Sequence, residues 1–318
     1  MAQDPTTPRR SRRGSGAVTL EDVRKKVADA VARTGYVPNR LAGSLASTRS
    51  RLVAAVVPTI AGPVFLETVQ SLTEALAEHG YQLMLGQAGY AGNREDALLD
   101  AIIGRRPDGI VLTGILHSPE GRRRLMACGI PVVETWDLTP TPIDMLVGFS
   151  HVDVGRAVAN FLHGKGRRRL GVVAGDDERA VRRTAAFQAA ALALGLAEVA
   201  VVTVPAPTTL KSGRSALARL LNEAPGLDAV FCSSDLLALG VLTEAQVSGV
   251  PVPGQLAVVG FGDLALAADV HPALTTVHIK GAAIGRQAAQ FIVDRAAGRA
   301  VTERVVDIGF SIVEREST

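Results

Sequence analysis

From Arg51 onward the chain alternates short runs of Val, Leu, Ile and Ala with longer amphipathic stretches. The runs at 52–57, 83–85, 109–112, 131–133 and 145–147 predict the strands of a first half. Those at 170–173, 199–204, 229–231 and 256–259 predict the strands of a second. Between them, apolar positions such as Phe65, Val69, Leu72 and Leu76, ended by Gly80, predict a helix over 65–79. Similar patterns predict helices over 153–165, 179–194 and 234–248. Strands that are apolar almost throughout are buried on both faces, which means a parallel sheet covered by helices. Nine strands in two runs exceed one compact doubly wound sheet, so two similar lobes are expected. No internal repeat is strong enough to prove duplication.

In such sheets ligands bind outside the carboxyl ends of the strands. Two facing lobes therefore form a cleft walled by 58–65, 87–90, 113–117, 149–153, 175–183, 233–235 and 261–263. This places Gln87, Tyr90, Phe149 and Phe261 among the candidate ligand contacts. Asp235 reads as either a cleft residue or a helix cap.

The chain has 318 residues, 47% of them hydrophobic and 20% charged, which excludes a disordered or fibrous chain. Two cysteines, Cys128 and Cys232, exclude a disulfide scaffold and fit a reducing compartment. No apolar run approaches the roughly 20 residues a membrane helix needs. The basic N-terminus leads into no signal-peptide core, so a cytoplasmic protein is expected. The charge is uneven. Residues 1–50 carry ten Lys/Arg against four Asp/Glu, and the remainder twenty-four against twenty-seven. A basic head on a slightly acidic body suggests that the head meets a polyanion. Residues 1–17, rich in Pro, Arg, Ser and Gly, read as a disordered basic tail.

Catalytic signatures are missing. There is no G-x-x-x-x-G-K-[ST], no G-x-G-x-x-G opening a helix and no G-x-S-x-G. The six His never fall at H-x-x-x-H spacing, and neither Cys has a C-x-x-C partner, so no metal and no cofactor are expected. His151 and Asp153 lie close together, as such residues commonly do at helix starts. The acidic run 176–178 could hold a cation or could precede a helix N-terminus. The pattern points to binding rather than catalysis.

In the head, Thr19 can cap a helix with Asp22 three residues on. Leu20, Val23, Val27, Val31 and Thr34 then share one face, and Gly35 is a good stop. Here the chain resembles the LacI-type (lactose-repressor) family of transcription regulators. Val18-Thr19-Leu20-Glu21-Asp22-Val23 looks like the start of that family's helix-turn-helix, and Gly35-Tyr36-Val37-Pro38-Asn39 like its end. Leu41-Ala42-Gly43-Ser44-Leu45 looks like its hinge helix. Ser233-Ser234-Asp235-Leu236-Leu237-Ala238-Leu239-Gly240 and Pro272-Ala273-Leu274-Thr275-Thr276-Val277 resemble effector-domain signatures. The body is most similar to the gluconate-repressor branch, in runs such as His79-Gly80-Tyr81-Gln82-Leu83-Met84-Leu85 and Asp177-Glu178-Arg179.

The resemblance implies an α/β body, 51–318, with two doubly wound parallel sheets arranged like a periplasmic binding protein. A truncated all-α DNA-binding head and hinge helix, 18–50, precede it. In the family, roughly 25 residues carrying the turn and recognition helix separate the first helix from the last. Here Val23 runs straight into Arg24-Lys25-Lys26-Val27. A natural deletion, a mis-assembled gene and a degenerate gene all fit that junction. By position, DNA contacts are implied at Thr19, Tyr36, Asn39, Arg40 and Leu45, with Leu45 as the minor-groove wedge; a linker carrying a Leu is the plainer alternative.

In the cleft, Arg183 matches the family's ligand-binding Arg, Phe65 an aromatic that packs on ligand, and Asp153 a hydroxyl-binding carboxylate. The plainer alternatives are a surface Arg, a core Phe and a helix cap. An Arg fork suits the carboxylate of a sugar acid. Ser234 stands where the family usually has Asn, and Gly262 where it often has Asp, so contacts typical of neutral sugars are lost. The expectation is a repressor of sugar or sugar-acid metabolism that forms a homodimer, binds operator DNA and takes a small-molecule effector. A cytoplasmic sugar-acid binding protein without DNA binding is the alternative, and an enzyme on a similar fold a third.

Overall fold

The computed structural model describes residues 19–35, 49–90, 94–115 and 117–318. The expectations for the basic tail and for Tyr36, Asn39, Arg40 and Leu45 lie outside these residues. The chain divides into two compact units, Met1–Thr48 and Arg49–Thr318.

In the first unit, helix α1 (Leu20–Thr34) forms as its sequence dictates. The Thr19 hydroxyl accepts from the Asp22 amide, and the Asp22 carboxylate accepts from the Thr19 amide and hydroxyl. Gly35 closes the helix at φ 64°, the left-handed conformation glycine adopts without penalty. None of its residues is buried, and Leu20, Val23 and Val27 stay exposed.

The second unit holds two six-stranded sheets. Their strands are β1 (Leu52–Val57), β2 (Gln82–Gln87), β3 (Gly109–Thr113), β4 (Val132–Thr135), β5 (Met145–Gly148), β6 (Leu170–Gly175), β7 (Ala200–Val204), β8 (Ala229–Cys232), β9 (Ala257–Phe261), β10 (Thr275–His278), β11 (Val305–Asp307) and β12 (Ser311–Val313). The first sheet runs β11-β5-β4-β3-β1-β2 and is wholly parallel. The second runs β12-β10-β9-β8-β6-β7, with only β12 antiparallel. The central strands are buried along nearly their whole length, as a sheet covered on both faces requires.

Side chains alternate between two cores. Val53 and Ala55 face α2 (Leu66–Glu78) and α9 (Gly281–Ala296), while Ala54 and Val56 face α3 (Glu95–Ile103) and α4 (Pro119–Ala127). In the second lobe, α5 (His151–Gly164) and α6 (Glu178–Ala193) cover one face. Helices α7 (Leu210–Glu223) and α8 (Asp235–Val247) cover the other. One apolar cluster runs through both lobes by way of Phe65, Trp136, Phe149 and Phe261.

The two lobes are not successive halves. After β10 the chain returns to the first lobe for α9 and β11, then crosses again to end on β12. The pattern of apolar runs missed these last three strands for a physical reason. β11 and β12 are three-residue edge strands with no fully buried residue, and β10 is a four-residue strand of Thr, Thr, Val and His.

Candidate functional site

The lobes meet at the carboxyl ends of their strands and enclose a small cavity of about 70 Å³. Its wall includes Pro63, Val64, Phe65, Tyr90 and Trp136 from the first lobe. The second lobe supplies His151, Asp177, Arg179, Arg183, Thr208, Ser233, Asp235 and Phe261. Three helix N-termini converge there, each capped by its own side chain. Ser150 Oγ accepts from the Asp153 amide, Asp177 Oδ1 from the Ala180 amide and Ser234 Oγ from the Leu237 amide. A second cavity of about 440 Å³ adjoins the first and shares Tyr90, Asp177, Arg179 and Ala206 with it.

Arg183 is 4% exposed and stands at the centre. Its guanidinium lies 4.0 Å over the Phe261 ring, donates from Nη1 to His151 Nδ1 at 3.0 Å and from Nη2 to the Ser233 carbonyl at 3.1 Å. Nε has no partner. Among the described residues no carboxylate pairs with this guanidinium. Burial lowers its pKa to about 10, so it stays a cation at neutral pH. One turn earlier, Arg179 lies 5.2 Å over the Phe65 ring and 3.8 Å from Asp177. The third cation of the helix, Arg182, grips the Asp137 carboxylate of the first lobe with two nitrogens. That bond and the Arg179 donation to the Thr113 carbonyl tie the lobes together.

Trp136 has φ 66°, an uncommon backbone for a bulky residue. It is held by edge-to-face packing on Phe65 and Phe149, with centroids 5.0 and 5.8 Å away, and by indole donation to Thr68 Oγ1 at 3.0 Å. Asp235 is fully buried. Burial lifts its pKa to about 6, against hydrogen bonds from Thr276 Oγ1 and the Leu264 amide.

Of the residues singled out from sequence, Phe65, Tyr90, Arg183, Asp235 and Phe261 line the small cavity. Phe149 lies behind it, packed on Trp136 and His151. Asp153, in the first turn of α5, turns to solvent and pairs with Arg156 three residues on, outside both cavities. Gln87 is exposed at the end of the edge strand β2, outside both cavities. Asp235 is not the cap of α8; Ser234 is. Trp136, Asp137 and Thr208 were missed. They follow β4 and β7, strand ends that the predicted cleft wall leaves out.

Two α/β lobes closing on a cavity at their strand ends define a ligand-binding body of the periplasmic-binding-protein type. A family model for a periplasmic binding protein-like domain matches residues 159–318. The HTH-type transcriptional regulator GntR of Pseudomonas aeruginosa is 36% identical over 316 residues, covering 99% of this chain and 92% of that one. The structure of the transcription regulator GntR from Chromobacterium violaceum matches with 36% identity and a TM-score of 0.80, over 84% of this chain and 98% of that one. A LacI-family regulator from Silicibacter pomeroyi matches with 31% identity and a TM-score of 0.89, over 95% and 92%. The chain belongs to the LacI family of transcriptional regulators.

Proposed function

We propose that this regulator responds to a sugar acid such as gluconate, bound in the interlobe cleft with its carboxylate on Arg183. The observation that carries this is the buried Arg183 guanidinium, which faces a cavity and has no carboxylate partner among the described residues. A buried charge is costly unless paired, and an Arg fork binds a carboxylate through two charge-assisted bonds. Arg179, on the same helix face, adds a second positive group at the neck of the larger cavity. The small cavity has room for the acid head, and the adjoining one for a hydroxylated chain.

The acting form is a homodimer in the cytoplasm. Ligand binding biases the angle between the lobes and so shifts the population of the DNA-competent state. Calorimetry with sodium gluconate and with uncharged glucitol tests the assignment. The wild type should prefer the acid, and Arg183→Ala should weaken gluconate binding about tenfold or more, the loss of one charged hydrogen-bond partner. Equal affinity in the variant would remove Arg183 from the site.

A second reading keeps the effector but not the operator. It is favoured by α1, a single helix with no buried residue. The unequal coverage of the Pseudomonas relative, 99% against 92%, also fits a head shortened by a lost segment. Binding to duplex DNA separates the two readings.

A further inference from the structure

The residue between Arg183 and the first lobe is His151, at the first position of α5, just after the chain crosses from β5. Its side chain is 2% exposed. Nε2 lies 3.0 Å from the Trp136 carbonyl oxygen, which can only accept, so Nε2 carries the proton. Nδ1 lies 3.0 Å from Arg183 Nη1, which can only donate, so Nδ1 is bare. Both contacts demand the same neutral tautomer. A protonated ring would turn an N–H against the guanidinium.

We propose that His151 is a positioning residue. Anchored to the first lobe through the Trp136 carbonyl, it fixes the Arg183 guanidinium across the cleft, so that ligand capture and lobe closure become one event. This rests on Arg183 being the charge partner of the effector. The surroundings suit the role. Burial disfavours the imidazolium, and Arg183, Arg179 and Arg182 on α6 disfavour it further. The facing Asp137 carboxylate, 3.9 Å from Nε2, is already taken by Arg182. The Phe149 and Phe261 rings pack on the imidazole at 4.7 and 6.3 Å and add no charge. Together these push the His151 pKa well below its ordinary range, which keeps the required tautomer through neutral and mildly acid pH.

The test uses the full chain as wild type, His151→Gln and His151→Leu. A glutamine amide offers an acceptor to Arg183 and a donor to Trp136, and leucine offers neither. In calorimetry with sodium gluconate, His151→Gln should bind within about threefold of wild type and His151→Leu about tenfold or more weakly. Thermal unfolding checks that each variant is folded. A second arm needs no ligand and decides the matter if His151→Leu fails to fold. Nitrogen-15 NMR of the wild-type histidines should show one ring that stays neutral, with the proton on Nε2, from pH 8 to pH 5.5. Leucine binding as well as wild type, glutamine binding as poorly as leucine, or a His151 ring titrating near 6.5 would each overturn the proposal. A wild type that ignores gluconate would defeat the sugar-acid reading instead, and the NMR arm would still judge the His151 tautomer on which the positioning depends.

Discussion

Arg183 keeps its charge in the cleft on neutral partners, a carbonyl, an imidazole and a ring. His117 shows the opposite arrangement. Its Nδ1 is 2.5 Å from Glu95 Oε1 and its Nε2 3.5 Å from Glu134 Oε1, with the ring only 4% exposed. Burial works against its charge, but Glu134 and Glu95 outweigh it and lift the pKa from 6.5 to about 9. The folded value is the higher one. Its stabilisation is therefore complete below pH 6.5, shrinks between 6.5 and 9, and is gone above. The size is on the order of 3 kcal/mol. Urea unfolding at pH 6 and pH 9.5 should show wild type losing this increment relative to His117→Gln. Parallel pH profiles would refute the clamp. At this scale, the place of Arg183 and Phe65 in the cavity wall was legible through resemblance, and that of Phe261 through its position after a strand. The partners of His117 were not, because Glu95 and Glu134 come from a helix and a strand whose meeting only the fold reveals.

Helix pairs in the body touch through glycine. A Cβ on Gly155 of α5 would sit 2.2 Å from the Arg183 carbonyl oxygen and 2.9 Å from the Phe187 amide of α6. A Cβ on Gly240 of α8 would meet the Leu210 carbonyl oxygen of α7 at 2.2 Å, and one on Gly285 of α9 would meet the Thr68 carbonyl oxygen of α2 at 2.4 Å. These are backbone contacts and cannot swing away. Gly155→Ala should therefore push α5 off α6, cost about 1–3 kcal/mol, and shift Arg183 enough to weaken the proposed gluconate binding. Thermal unfolding and calorimetry on one sample check both, and unchanged values in each would contradict the close approach. Nine strands and four helices of the body were legible, because central strands buried on both faces read as unbroken apolar runs. Helices α3, α4, α7 and α9 were not predicted, α9 for its diluted stripe of Ala and Gly, nor were β10, β11 and β12, which are short.

The whole chain combines a closed ligand cleft with a basic head. Arg24, Lys25 and Lys26 lie on a helix whose residues are all unburied, and Arg9, Arg10, Arg12 and Arg13 precede it in sequence. Charge without a recognition helix gives affinity that is blind to sequence and falls steeply with salt. On the second reading, gel shifts should show weak binding to any duplex at low salt, lost near physiological salt. A footprint on one operator that persists at physiological salt and is released by gluconate would show a working repressor head. The discontinuous lobes bear on how the molecule is made. The first sheet receives its covering helix α9 and edge strand β11 only from residues 281–307. On the ribosome, then, the lobe that begins first stays unfinished until residue 307 has emerged. Until then its apolar face, with Leu72 and Leu76 already in place, is open to chaperones. No cut in the gene yields either lobe as one uninterrupted piece.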